Sequence, residues 1–208
     1  MRKNLTQKTT RDRYIYVLLS DTGTLFSKLI KGFTAAPYNH ASLVLDADMN
    51  EIYSFGRKQA NNPLDAGFVR EDVYEGTYSH FPNTRCLLLR YEVTPEERKA
   101  LKAVIGRFDC NKEHYSYNLV GLVGVLLNRD LKIKNSYFCS QFVAEALREG
   151  GINVWDRPSS LVTPNDFLKN NKFKAVYEGY LYDYPKLDAS RIHYANRYQT
   201  RTEALNVN

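Results

Sequence analysis

The sequence has few cysteines, and none of them is in paired spacing. Cys86, Cys110 and Cys139 are an odd number spread over 208 residues. They can form neither a disulfide framework nor a C-x-x-C metal site. A phosphate-binding glycine loop, zinc-ligand spacing and a calcium loop are missing as well. We therefore expect no metal ion and no cofactor, and a protein that works in a reducing compartment.

Long apolar runs are also missing. The longest, residues 119–127, is about half of the roughly 20 residues that a membrane-spanning helix needs. Residues 1–13 are polar and basic, without the apolar core that an export signal has. These two features predict a cytoplasmic protein without a transmembrane segment.

The net charge of +6 lies at the two ends of the chain. Residues 1–13 carry five basic side chains and one acidic, and residues 186–208 carry four basic and two acidic. The remaining charges cancel, so no nucleic-acid groove is expected and a nucleic-acid partner is not predicted. The basic ends allow a weak contact with a membrane surface. We predict a flexible basic segment over 1–13, one folded domain over 14–185 and a polar tail over 186–208.

Short β-branched and aromatic runs alternate irregularly with stretches of helical spacing. The predicted strands are residues 14–19, 41–46, 51–56, 85–93 and 173–181, and the predicted helices are residues 25–34, 95–108, 119–127, 139–149 and 164–169. Residues 58–83 are polar and rich in Gly, Pro and Asn, and we predict a long irregular segment there. This order favours an α+β fold in which helices pack on a mostly antiparallel sheet.

Cys139 falls in the first turn of the predicted helix over 139–149. Backbone N–H groups without helical partners gather there, and the helix dipole favours an anion. A thiol in that position can ionise below its usual pKa of about 8.5, and the thiolate is the reactive form. The alternative interpretation is that Cys139 is a small hydrophobic residue of the core.

A thiolate nucleophile needs a base within hydrogen-bonding distance. His114 and His193 lie among polar residues, and His80 lies in the predicted irregular segment. His40 begins the strand of a predicted hairpin, where the end of a sheet can present its ring. We therefore choose His40 as the candidate base, with a structural histidine as the alternative.

The stretches NHASLVL (39–45) and YFCSQFVA (137–144) carry a resemblance. Together with the hairpin between them, they resemble the circularly permuted papain-like fold of the NlpC/P60 superfamily, in which the histidine strand precedes the cysteine helix. The resemblance implies that residues 14–185 form a catalytic domain of this fold. It also implies a cysteine hydrolase that cleaves an amide or ester bond of a small molecule, peptide, cell-wall fragment or lipid, with Cys139 as nucleophile and His40 as general base.

Relatives often place a glutamate or another polar group on the strand after the histidine, and that position here is Ser54. If hairpin partners have numbers that sum to 96, Ser54 lies opposite Ser42 and diagonal to His40. An odd sum would turn Ser54 to the other face of the sheet. We name Ser54 as the third site residue, and a polar group from residues 58–83 as the alternative. Two other functions stay open: a lipid acyltransferase, and a binding module that keeps the fold without turnover.

Overall fold

A computed structural model describes most of the folded chain. The described residues are 12–22, 37–59, 62–118, 121, 124–125, 129–131 and 133–192. The predicted helix over 25–34 and most of the predicted helix over 119–127 lie outside these residues, as do most of the N-terminal segment and residues 193–208 of the tail. The described residues 121, 124 and 125 are helical.

Six strands form one sheet in which every neighbouring pair is antiparallel. They are β1 (Tyr14–Asp21), β2 (His40–Val44), β3 (Ile52–Gln59), β4 (Asn62–Glu71), β5 (Arg85–Glu92) and β8 (Lys174–Tyr180). Their order across the sheet is β4-β3-β2-β1-β5-β8. A short parallel pair, β6 (Ser116–Tyr117) and β7 (Ser136–Tyr137), lies apart from this sheet.

Three helices have bounds in the structure: α1 (Pro95–Cys110), α2 (Cys139–Glu149) and α3 (Pro164–Lys169). The capping box predicted for α1 is confirmed, because the Thr94 side chain accepts from the Glu97 backbone N–H and the Glu97 carboxylate accepts from the Thr94 N–H. Gly151 follows α2 with a φ of +86°, a left-handed conformation that favours glycine. The fold is therefore α+β with a mostly antiparallel sheet.

Both faces of β1 are buried, which explains why its sequence is a continuous apolar run. Alternate residues of β1 belong to two separate cores: Ile15, Val17 and Leu19 face one, and Tyr16 and Leu18 face the other. Side chains of α1 and α2 fill the first core.

The second core contains residues from the turn after β4 and from the C-terminal segment. Its members include Leu187 and Ile192, which are buried. Packing therefore continues beyond residue 185, where we predicted the folded domain to end. Among the described residues, no helix combines the length and the apolar content needed to cross a bilayer.

The prediction of a long irregular segment over 58–83 is wrong. β3 runs on to Gln59, and β4 occupies the chain as far as Glu71. Backbone pairing with β3 holds β4 at the edge of the sheet, where polar residues and glycine are tolerated. Phe68 supplies its apolar anchor, since its ring is buried and packs against the ring of Phe55. Irregular chain is confined to residues 72–84, with a single 3-10 turn over Thr77–His80.

Candidate active site

His40 and Cys139 meet where α2 packs against the sheet. His40 is the first residue of β2 and Cys139 is the first residue of α2, so each begins its element at the same edge of the molecule. The Cys139 Sγ atom lies 4.0 Å from the backbone oxygen of Asn39, the residue before His40. Two side chains that are 99 positions apart in the sequence therefore share one site.

Cys139 is buried, with only 4% of its surface exposed, but its surroundings are polar. Burial alone would raise the pKa of its thiol. A hydrogen bond with His40, the charge of His40, and the backbone N–H groups of Ala41 and Ser140 outweigh burial and lower the pKa of Cys139. The predicted position in the first helical turn is confirmed and accounts for the Ser140 contact.

Glu71, at the end of β4, is a site residue that we did not single out from the sequence. Its Oε1 atom lies 2.8 Å from His40 Nε2 and accepts a 2.6 Å hydrogen bond from Ser54 Oγ. Its Oε2 atom accepts hydrogen bonds from Ser42 Oγ at 2.7 Å and from the Tyr78 hydroxyl at 3.2 Å. One carboxylate is thus held by four side chains.

The pKa of Glu71 reflects this cage of donors. Burial would raise it, but the charge of His40 and the hydrogen bonds from His40, Ser54 and Ser42 lower it. A carboxylate that accepts several hydrogen bonds stays ionised, so Glu71 carries its negative charge at neutral pH.

The pKa of His40 is moved in the opposite direction. Burial would lower it, but the charge of Glu71 and the hydrogen bonds with Cys139 and Glu71 raise it to about 10. Because Nε2 faces Glu71, Nδ1 is the ring nitrogen left for Cys139. A raised histidine pKa beside a lowered cysteine pKa favours an imidazolium and a thiolate in contact, which titrate as a pair.

Ser54 lies in the predicted register but contacts a different partner. Leu43 pairs with Tyr53 and Val44 with Ile52, so partner numbers sum to 96 and Ser54 falls opposite Ser42. The Ser54 hydroxyl donates to Glu71, and Glu71 is the group that hydrogen-bonds His40. Ser54 therefore orients the histidine through the carboxylate. The alternative that we named, a polar group from residues 58–83, describes Glu71.

The other histidines do not join this site. His80 is exposed in the 3-10 turn, and its ring Nδ1 contacts Ser79 and the backbone oxygen of Gly76. His114 is exposed, and His193 lies outside the described residues. No cluster of three or more His, Cys, Asp or Glu side chains suited to a metal ion occurs in the part of the chain that the structure describes.

A cavity of about 210 Å³ opens beside the histidine. The residues that line it include His40, Glu71, Gly56, Arg57 and Tyr117. A side chain at Gly56 would approach the His40 ring, because a Cβ there would lie 3.4 Å from Cε1. Glycine at this position keeps the space next to the imidazole open.

Comparison with known proteins does not place the chain in a family. No protein-family model matches the sequence, and no curated protein matches it significantly. The functional assignment therefore depends on the chemistry of the site itself.

Proposed function

We propose that this protein is a cysteine hydrolase with a circularly permuted papain-like fold of the NlpC/P60 type. Cys139 is the nucleophile, His40 the general base and acid, and Glu71 the group that orients the imidazole. The observation that carries the proposal is the chain of contacts from the Cys139 thiol through His40 to the Glu71 carboxylate. The order of strand and helix, with histidine before cysteine, agrees with the permuted arrangement.

The reaction is acyl transfer to sulfur. The Cys139 thiolate attacks the carbonyl carbon of an amide or ester, and a carbon–sulfur bond forms. When the carbonyl carbon releases the leaving nitrogen or oxygen, the His40 imidazolium gives its proton to that atom. Water then attacks the thioester and gives a proton to His40. The carbon–sulfur bond breaks, and the acid product leaves with the thiolate and imidazolium restored.

Backbone N–H groups at the start of α2 are suited to the negative oxygen of the tetrahedral intermediate. The Phe142 N–H is the first to bond within the helix, to the Phe138 carbonyl, so the N–H groups of residues 139–141 have no intrahelical partner. The Ser140 N–H points to the sulfur. We assign the Cys139 N–H to the oxyanion, and one such donor contributes about 3–4 kcal/mol where it has been measured.

One observation favours a second candidate, a binding module of the same fold. Cys139 is only 4% exposed, which limits the access of a substrate to the sulfur. Ser54 in place of the glutamate that relatives often carry does not support this alternative, because Glu71 contacts His40. A lipid acyltransferase would need an apolar channel beside Cys139. The apolar residues 119–127 are the part of the sequence that suggests one, and most of them lie outside the described residues.

Alkylation of the three thiols tests the proposal, with Cys86 and Cys110 as internal references. We expect iodoacetamide near pH 6.5 to label Cys139 first, because its thiolate persists at that pH, and peptide mass spectrometry to locate the label. In His40→Ala the labelling of Cys139 slows by roughly 10-fold or more, since the partner that lowers the thiol pKa is gone. Slow and equal labelling of Cys139 and the exposed Cys110 in the wild-type protein would support the binding module instead.

A further inference from the structure

The cavity beside His40 has lining residues that take no part in the contacts among Cys139, His40 and Glu71. His40 is one of its lining residues, whereas Cys139 is not. In acyl transfer the nucleophile contacts the carbonyl carbon, and the histidine must reach the leaving atom to protonate it. The group that departs from the carbonyl therefore lies on the histidine side, which is the side where this cavity opens.

The size of the cavity limits what it can hold. Its volume of about 210 Å³ is smaller than the roughly 300–1,000 Å³ of pockets that enclose a drug-sized ligand. It has room for one group about as large as an amino-acid side chain or a small aromatic ring. Phe55 adds an apolar patch to the lining, and the hydroxyls of Thr77 and Tyr117 add polarity.

The lining of this cavity is rich in charge. Glu71 holds His40, and Asp72 lies 3.7 Å from Arg191. Lys58 lies 4.0 Å from Asp65 and 3.8 Å from Glu113. Arg70 donates to the Asn50 carbonyl oxygen on the exposed side.

Arg57 is less exposed than Lys58 and Arg70. It is half-buried, and its guanidinium carbon lies 5.4 Å from the centroid of the Phe81 ring, which fixes the side chain. Burial lowers the pKa of Arg57, and Tyr117, which also interacts with Cys139, opposes that effect. Arg57 lines the same cavity as His40 and Glu71 and is partly shielded from water, where an ion pair with a ligand is stronger.

We propose that this cavity receives the leaving group of the substrate and that Arg57 recognises a carboxylate on it. The inference rests on the proposed hydrolase function and deepens it by naming the substrate class: amides or esters whose departing part is a monoanion. The planar guanidinium matches a carboxylate in bidentate geometry. Glu71 and Asp72 on the same lining disfavour a second negative charge, which selects a carboxylate over a phosphate dianion.

Three acetate esters that differ only in the leaving group test this preference. Their leaving phenols are 4-hydroxybenzoate, the neutral isostere 4-hydroxybenzamide, and 4-hydroxyphenylphosphonate as the doubly charged probe. We expect kcat/KM for the carboxylate ester to exceed that for the amide ester by roughly tenfold or more. In Arg57→Gln the two become similar because the carboxylate ester loses its advantage, whereas the amide ester is little changed.

Two further variants serve as controls for this experiment. Arg57→Lys keeps the charge but loses the planar guanidinium. It tests the site even if Arg57→Gln perturbs folding, because it should retain part of the preference for the carboxylate ester. Arg90→Gln is the matched control, since Arg90 is also half-buried over an aromatic ring, that of Tyr14, and does not line the cavity. It should keep the full preference.

Calorimetric binding of the free phenols separates failure of this inference from failure of the hydrolase proposal. If no ester is cleaved, the hydrolase proposal fails, yet tighter binding of 4-hydroxybenzoate than of 4-hydroxybenzamide, lost in Arg57→Gln, still supports the site. Equal turnover of the carboxylate and amide esters, independent of Arg57, overturns the inference and leaves the hydrolase intact. Preference for the phosphonate over the carboxylate also overturns it.

Discussion

Two buried cysteines of this protein have opposite chemistry. Cys86 lies near the start of β5, the strand next to the edge strand β8, and burial together with the charge of Glu178 raises its pKa to about 12. Cys139 lies at the junction of α2 and β2, and its pKa is lowered although it is buried as well. Both are at most 4% exposed, so exposure does not distinguish them.

The difference comes from the polar groups around each sulfur. Cys86 belongs to the core cluster of Leu18, Leu88 and Leu181, where a thiolate would find little stabilisation. Cys139 has an imidazolium and two backbone N–H groups within reach. Burial disfavours the thiolate at both positions, but it also strengthens the interactions that a charge makes with its partners. Cys139 has such partners, and they outweigh the cost of desolvation, whereas Cys86 does not gain from them.

Replacing Glu71 by glutamine should make Cys139 behave more like Cys86. Without the carboxylate charge the pKa of His40 falls, and the imidazolium that stabilises the thiolate is lost at neutral pH. We expect iodoacetamide labelling of Cys139 at pH 6.5 to slow by roughly 10- to 100-fold and the free energy of unfolding to fall by about 2 kcal/mol. Peptide mass spectrometry and urea denaturation measure the two effects.

Glu178→Gln is the matched control for that substitution. Its Oε1 atom accepts a hydrogen bond from the Tyr38 hydroxyl at 2.8 Å, but no contact joins it to His40. Labelling of Cys139 should stay within about twofold of the wild-type rate. A similar loss in both variants would mean that general destabilisation, and not the loss of the His40 partner, slows the reaction.

The dependence of hydrolysis on pH also distinguishes Cys139 from an ordinary thiol. Because the pKa of Cys139 is lowered, its thiolate persists at pH values where an ordinary thiol, with a pKa of about 8.5, is protonated. Activity should decline as the pH rises through about 10, where His40 loses the proton that the leaving group needs. A plateau around neutral pH with this alkaline limb is the expected profile of kcat/KM for an activated ester.

The same shift predicts how stability depends on pH. The pKa of His40 is raised in the folded state, so its contribution is complete below the unfolded value of about 6.5 and is lost as the pH rises through about 10. His40→Ala should therefore differ from the wild-type protein more at pH 6 than at pH 10.5 in its free energy of unfolding. A difference that grows with pH would contradict a protonated His40.

Ser54→Ala should have the smallest effect. It removes one of the four donors to Glu71, at 2.6 Å, and leaves those of His40, Ser42 and Tyr78 in place. We expect labelling of Cys139 to slow by about two- to fivefold and the free energy of unfolding to fall by about 1 kcal/mol. Ser20→Ala, which removes a contact to Tyr78 only, should leave labelling unchanged. A loss as large as that of Glu71→Gln would mean that Ser54 acts on His40 directly.

Local sequence marks explain which parts of this architecture could be predicted. Cys139 is marked by an apolar helical face followed by Gly150 and Gly151, and His40 by its place at the start of a hairpin strand. The sequence left two registers open for that hairpin, and the structure has the one in which partner numbers sum to 96.

Glu71 had no such mark. It lies in a stretch with Asp65, Asp72 and Glu75, and a carboxylate among solvated charges looks the same before folding whether or not it will be buried. Glycine and proline in residues 62–67 hid the strand that carries it. The one available signal was the apolar pair Phe68 and Val69, which Arg70 separates from Glu71.

The edge position of β4 determines how easily the reactivity of Cys139 is lost. β4 is the outermost strand, paired within the sheet only to β3, and it carries the carboxylate on which the histidine depends. Peeling of a peripheral strand needs less free energy than cooperative unfolding of the whole domain. We therefore expect a low concentration of denaturant to abolish the reactivity of Cys139 while the rest of the protein keeps its native circular dichroism.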